Sequence, residues 1–388
     1  MYKVTFFSKL VKLIPRNEFQ MLNEKYQADR YVKKLSTWSQ LLVHLYSAVS
    51  GKGSIRPLLD SFHCMTAQFY HLNIKAPVKR STFSDANQAR DYQLFKDLFE
   101  TIYFRYAAKL PRKVKLKINR QLKLIDSTYY TLSAKLSSWA YKGREKINKL
   151  HQGMRLHFVM DADRGIPQSI TVKAANVGDL SIAKALTYRA GEIVVGDRGY
   201  FGFKWFKQIN DAGAYFVCRA KNFTYHILES HESDHPQVIY DHIVETRGNK
   251  SANHYPDPVR LITFYDPEMD REFCFITNIM DLPPEEIAQL YQMRWQIEIF
   301  FRELKHYLKL NTFLGNSLNA IAIQIYCYAI AYILLKVLRQ SLHIGYSWHR
   351  FLELMRTCAA LAVDFRDPHI QKNVFKFNQN QLSLWTPI

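Results

Sequence analysis

Apolar residues in the first hundred positions recur at helical spacing, and glycine marks where the longest of these runs stops. Thr37 with Gln40 has the spacing of a capping box, and residues 38–50 then predict one helix that ends at Gly51 and Gly53. Ser81-Thr82 with Asp85 predicts a second, polar helix over residues 83–90. From residue 114 the period changes, and residues 115–118 alternate as a strand does. Residues 122–125 predict a strand that ends on Asp126, and residues 154–160 and 166–172 predict a hairpin about a turn at 161–165. A helix over 179–186, a buried strand over 192–196 ending at Asp197, a helix over 203–210 and a strand over 214–218 follow. Residues 221–280 carry strand-like runs between polar loops. Residues 283–308 predict one long helix, opened by prolines and acids that favour a helix start. Residues 320–335 are apolar except for Gln324, fall short of the ~20 residues of a membrane span, and predict a buried helix with Tyr326, Tyr328 and Tyr332 in the core.

This order predicts an α/β chain: helices over residues 1–110, then strands and helices around a mixed sheet. With 388 residues, 48% hydrophobic and 14% aromatic, the chain has material for a large core and is not generally disordered. There is no Walker A loop and no GxGxxG, which argues against nucleotide- or dinucleotide-driven chemistry. Five scattered cysteines without a CxxC read as reduced thiols, and residues 1–15 are unlike a secretory leader. His226, His231, His235 and His242 lie at irregular spacing in a loop-like region, a poor pattern for zinc.

Charge narrows the picture. The 53 Lys and Arg against 34 Asp and Glu give a net +19, which points to a polyanionic partner. The excess is uneven: residues 1–155 hold 29 basic and 10 acidic side chains, whereas residues 156–308 are net acidic. Six basic and no acidic residues over 112–123 suggest a track for a DNA backbone. Within residues 1–110, the polar helix carrying Ser84, Asn87, Gln88 and Arg90 suits a helix-turn-helix-like reader of DNA, and equally a docking domain whose polar helix faces water.

Two predicted strands end on carboxylates, Asp126 and Asp197, and the long helix offers a third. At 100° per residue, Tyr291, Arg294, Glu298, Arg302 and Lys305 fall within about 80° of one another, while Ile297, Phe300, Phe301, Leu304 and Leu308 face the other way. Glu303 lies off this polar stripe. The plain alternative is a solvated face laced with i,i+4 ion pairs.

Tyr291-x2-Arg294-x3-Glu298-x6-Lys305 matches in full the Tyr-Arg-Glu-Lys signature, so the chain resembles the DDE transposases of the insertion-sequence-four family. Asp126 in Leu-Ile-Asp-Ser-Thr and Asp197 in Val-Gly-Asp-Arg-Gly-Tyr-Phe look like that family's two catalytic aspartates. The resemblance implies an RNase H-like catalytic core over 111–220 and 281–340, a β-rich insertion over 221–280, a helical DNA-binding domain over 1–110 and a helical C-terminal segment over 341–388. It implies that Asp126, Asp197 and Glu298 hold two Mg²⁺ ions, replaceable by Mn²⁺, for in-line displacement at phosphorus, with Asp126 bridging them. Water is then the attacking group for end cleavage, and the freed 3′-hydroxyl for joining to target DNA. Arg294, Lys305 and Arg302 are expected on phosphates, with Tyr291 beside them.

Some members of the family flip a base onto an insertion-domain Trp. This chain has no Trp between Trp205 and Trp295; Phe273 stands at about the matching place, where a core Phe on a strand is the simpler reading and a stacking partner for a flipped base the alternative. The expected partners are the terminal inverted repeats of the chain's own element, target DNA and a second copy of the chain, with no membrane and no nucleotide cofactor. The expected location is the cytoplasm of a prokaryote, on the nucleoid. A related nuclease or resolvase that stops after hydrolysis, and an inactive DNA-binding descendant, are the alternatives.

Overall fold

The computed structural model describes residues 5–112, 120–132, 141–144, 150–248, 251–359 and 361, so the alternation predicted at 115–118 lies outside the described residues. Six helices come first: α1 (Phe6–Val11), α2 (Arg16–Lys25), α3 (Thr37–Ser50), α4 (Ile55–His63), α5 (Arg80–Ala89) and α6 (Gln93–Ala107). The strands follow with interleaved helices: β1 (Leu122–Leu132), β2 (Tyr141–Arg144), β3 (Leu150–Asp161), β4 (Ile166–Ala174), α7 (Asp179–Lys184), β5 (Ile193–Gly196), α8 (Phe203–Asp211) and β6 (Tyr215–Arg219). Next are β7 (Tyr225–His231), β8 (Val238–Thr246), α9 (Ser251–His254), β9 (Val259–Asp266), β10 (Arg271–Thr277), α10 (Pro284–Gln292) and α11 (Trp295–Arg302). After a π-helical turn at Glu303–Tyr307 come α12 (Leu318–Ser341) and α13 (Trp348–Cys358). The chain divides into two compact units, Met1–Leu110 with Glu303–Ile388, and Pro111–Arg302.

The helical unit is built around α12, which packs against α1, α3, α5 and α6. This helix is long and apolar enough to cross a membrane by length and composition, but 89% of its apolar window is buried inside the fold. A helix that is apolar all round suits such a central position. Tyr326, Tyr328 and Tyr332 are buried there, and the Tyr328 hydroxyl lies 2.7 Å from that of Ser47 on α3. Ser36 rather than Thr37 caps α3, its hydroxyl accepting from the Ser39 N–H at 3.1 Å. Gly51 ends it at φ 69°, a left-handed conformation that costs glycine little.

Helix α5 corrects the expected DNA-reading face. Asn87 is buried, and its side-chain oxygen accepts from Gln40 at 2.7 Å and lies 2.8 Å from His44 Nε2. Arg90, also buried, donates to Gln40 at 2.9 Å and to the Leu35 carbonyl, and pairs with Asp29 at 3.4 Å. Both side chains are therefore turned into the unit, where α3 supplies their partners. Gln88 is exposed.

The second unit holds one sheet in the order β2-β3-β1-β5-β6-β10-β9-β8-β7, with β4 also paired to β3. Strands β1, β5 and β6 are mutually parallel, and the other pairings are antiparallel. The strands of residues 221–280 thus continue the same sheet through the pairing of β10 with β6. One face packs on α8, where Trp205, Phe206 and Ile209 join Ile125, Val159, Val194 and Phe216, and Phe206 stacks on Phe216 at 4.3 Å. The other receives α11, whose Phe300 and Phe301 meet Phe158 at 5.2 and 5.4 Å. Arg260 holds Asp241 with two hydrogen bonds of 2.8 and 2.6 Å and donates to the Leu282 carbonyl at 2.6 Å, which ties β8 and β9 to the approach of α10.

The predicted basic track is largely paired with acids where it is described. Arg112 meets Asp163 at 3.2 Å, Arg120 meets Asp281 at 2.9 Å, and Lys123 is buried against Glu192 at 2.6 Å. Lys123 in particular is a core ion pair, removed from any solvent-borne partner. Residues 113–119 of the track lie outside the described residues.

Candidate active site

The sheet register carries two of the carboxylates to one place. Ile125 of β1 pairs with Gly196 of β5, so the next residue on each strand is an aspartate, Asp126 and Asp197. Asp126 is not the end of its strand, as expected, since β1 continues to Leu132; it stands where the parallel pairing to β5 ends. Beyond that point β1 is held by β3, with Asp126 opposite Phe158. Asp197 leaves β5 into the turn Arg198–Tyr200 and accepts from the Gly199 N–H at 2.8 Å. A Cβ on Gly199 would come within 2.9 Å of Asp197 Oδ1, so a larger residue would press on the carboxylate.

The helix expected over 283–308 is broken. Helix α10 stops at Gln292 and α11 begins at Trp295. Around the bend the backbone makes i→i−3 bonds: Arg294 N–H to Tyr291, Gln296 N–H to Met293 and Ile297 N–H to Arg294, at 2.9–3.0 Å. A straight 100° wheel does not describe this segment, and the π-helical turn Glu303–Tyr307 changes the phase again. Arg302 is exposed at the end of α11, and Lys305 is half-buried on the π-helical turn, in the helical unit. The buried Glu303 accepts from the Tyr332 hydroxyl at 2.7 Å within that unit.

What survives the bend is the local pair. Arg294 donates from Nη2 to Glu298 Oε1 at 2.6 Å and from Nη1 to Asp126 Oδ2 at 3.2 Å. Its guanidinium lies 5.6 Å from the Tyr291 ring, which itself packs on Phe275 of β10 at 4.6 Å. One arginine therefore links the first aspartate to the helical glutamate.

Electrostatics marks the same group. Burial pushes the Asp126 carboxyl up to about 7; the Ser127 N–H and Arg294 act against this, while Asp197 and Glu298 add to it. The Tyr200 phenol is raised well above its usual range by burial and then by Asp126, Asp179 and Asp197. A buried carboxyl among like charges is short of positive charge. Among the described residues no three His, Cys, Asp or Glu side chains are grouped closely enough to hold an ion as they stand, and Arg294 supplies the charge between Asp126 and Glu298. The donor set is all carboxylate and electron-rich, which fits a hard divalent cation.

Other expected residues are placed as follows. Phe273 is half-buried on β10, with the guanidinium of Arg219 5.0 Å and that of Arg271 5.4 Å from its ring, and it lies parallel to Phe275. At the start of α7, Gly178 holds the cap position and Asp179 is the first helical residue. Its carboxylate accepts from Ser127 Oγ at 2.6 Å and Arg155 Nη1 at 2.8 Å, and lies 3.3 Å from His157 Nδ1. Sequence reasoning did not single out Ser127, Arg155, His157, Arg219 or Arg271. Asp179, the acid that opens the helix predicted over 179–186, is the one signal the sequence offers for this group.

Known proteins similar to this chain are named as transposases. The family described as Transposase DDE domain matches residues 118–334, and one described as a domain of unknown function (DUF4372) matches residues 3–75. A protein of Sinorhizobium fredii named as a transposase (y4zB) is 33% identical over 281 residues, which cover 71% of this chain and 76% of that one. A protein of Synechocystis named as a transposase for insertion sequence element IS4SA is 30% identical, with the same shares of 71% and 76%. One of Geobacillus stearothermophilus, named for element IS5377, is 28% identical over 66% of each chain. With the family matched across the carboxylate-bearing strands and helices, the chain belongs to the DDE transposases, enzymes that cut and transfer DNA.

Proposed function

We propose that this transposase cuts at the ends of its own insertion element and joins the freed ends to target DNA, as a member of the insertion-sequence-four group. The observation that carries the reading is the convergence of Asp126 and Asp197 at the end of the parallel pairing, with Glu298 tied to Asp126 through Arg294. The order β4-β3-β1-β5-β6, three antiparallel strands followed by two parallel ones, supports an RNase H-like core.

Asp126, Asp197 and Glu298 are the residues to hold two Mg²⁺ ions, which when bound supply the charge that a phosphoryl transition state needs and lower the pKa of an attacking water or 3′-hydroxyl. Asp126 would have to lose its proton to serve as a ligand, a change that added positive charge would favour. Arg294, which lies between Asp126 and Glu298, would be the side chain placed to hold a phosphate oxygen if those carboxylates held metal ions. Tyr291, wedged against Phe275, limits where that guanidinium can go. The working form on paired ends is a dimer, with exposed Gln88 and neighbouring side chains of the helical unit on DNA.

The test is incubation of the full chain with its element's end DNA and a target duplex, with and without Mg²⁺. Nicked ends and joined products that require Mg²⁺ are expected. Hydrolysis without joining would favour the nuclease alternative, and cleavage undiminished in Asp126→Asn and Glu298→Gln would overturn the assignment.

A further inference from the structure

Successive residues of β1 point to opposite faces of the sheet. Asp126, cross-strand from Phe158, faces α11, whereas Ser127, cross-strand from His157, faces α7. The catalytic strand is therefore gripped from both sides at the point where its pairing to β5 ends: by Arg294 on one face and by Asp179 on the other.

The Asp179 side has a continuous bonded path to the site. Asp179 accepts from Ser127 Oγ at 2.6 Å, and the Ser127 backbone N–H donates to Asp126 Oδ1 at 2.7 Å. Asp179 is itself fixed by Arg155 of β3 at 2.8 Å, with His157 Nδ1 of the same strand 3.3 Å away. Arg155, Ser127 and His157 hold its carboxyl well below the usual carboxylate range against the opposing effect of burial, so it stays an anion. It also backs the second aspartate. A Cβ at Gly199 would sit 2.9 Å from Asp197 Oδ1 and 3.7 Å from Asp179 Oδ2, so the Gly199 turn runs between the two carboxylates.

We propose that Asp179 is a positioning residue for both strand aspartates: it fixes Ser127, and through the Ser127 peptide the Asp126 carboxylate, while supporting the turn that carries Asp197. Asp179 need not touch DNA or metal for this. The inference rests on the reading of Asp126 and Asp197 as metal-holding residues. Residues behind a ligand that orient it commonly set metal affinity by 10–100-fold.

The experiment uses the full chain and Mn²⁺ as the probe, with free Mn²⁺ read by electron paramagnetic resonance during titration, and end-DNA affinity measured in parallel. Asp179→Ala is expected to weaken Mn²⁺ binding by about tenfold or more, with end-DNA affinity within about twofold of the parent chain. Ser127→Ala is expected to act in the same direction, and the double variant to be no worse than Asp179→Ala, since both cut one path. Mn²⁺ binding unchanged in Asp179→Ala, or additive losses in the double variant, would overturn the proposal. If Asp179→Ala does not fold cooperatively, Ser127→Ala decides alone, and unchanged Mn²⁺ binding there overturns it. Asp126→Asn separates the two levels. If Asp126→Asn abolishes Mn²⁺ binding and Asp179→Ala does not alter it, only the positioning role falls; if Asp126→Asn has no effect, the metal reading falls and takes the inference with it.

Discussion

Two polar clusters in this molecule are built from similar side chains and differ in charge balance. In the helical unit, Gln40 and His44 converge on the Asn87 oxygen, Arg90 donates to Gln40, and the buried guanidinium of Arg90 is matched by Asp29. In the sheet unit, burial and then the charges of Asp197 and Glu298 raise the Asp126 carboxyl to about 7, against the bonded cation Arg294. The first cluster is a charge-balanced network that links α5 to α3. The second is open, with negative charge in excess, which suits a site that binds cations and phosphates.

The largest expected effect breaks the open cluster chemically. Glu298→Gln or Asp126→Asn should lower end cleavage on the order of a thousandfold while leaving the unfolding midpoint in urea within a few tenths molar or raising it. A parallel loss of stability and cleavage would mean that these carboxylates, like the Arg90 group, are there for folding. Next, Arg90→Leu should cost about 3 kcal/mol in urea unfolding, because Asp29 and Gln40 lose a buried partner. A cost below about 0.5 kcal/mol would return Arg90 to the surface and to DNA.

The two clusters should also respond oppositely to pH. Burial lowers His44 from 6.5 to about 4, so the unfolded chain binds more protons between these values and the helical unit loses stability as pH falls through them. Asp126 is raised from 3.8 to about 7, so the folded chain binds more protons and the metal-free sheet unit loses stability as pH rises through that interval. Hydrogen exchange on peptides from each unit should show slopes of opposite sign, with total changes on the order of 3–4 kcal/mol across each interval, flattened by His44→Gln and Asp126→Asn respectively. Slopes of the same sign would contradict the contrast. The smallest effect belongs to Gln88→Ala, expected to change stability by less than about 0.5 kcal/mol and to weaken end-DNA binding by a few-fold in a mobility shift. Unchanged binding would remove Gln88 from the DNA interface.

Much of the frame was legible in the pattern of residues. The hairpin of β3 and β4, the short buried β5, helix α8 and the buried α12 all follow from period and punctuation, which are local properties. Asp126 and Asp197 stood out because a polar residue directly after a short apolar run marks where a buried strand leaves the core. A straight-helix wheel points to Glu298, and Arg294 reaches it because an i,i+4 contact survives a bend next to it. Arg302 and Lys305 depended on the same wheel over more turns, and there the bend and the π-helical turn intervene.

By itself the sequence determined the order of elements, the apolar faces and the chemical types available near the strand ends, because these depend on neighbours along the chain. Tertiary structure alone decided which polar side chains are paired and which are left with excess charge. Asn87 and Arg90 face inward because α3 brings Gln40 and His44 to them, Lys123 is neutralised because Glu192 packs beside it, and Asp179 braces Ser127 because α7 lies against β1. Burial and Coulomb interaction depend on distance through space, and residues 52 positions apart, as Ser127 and Asp179 are, become neighbours only once the sheet has formed.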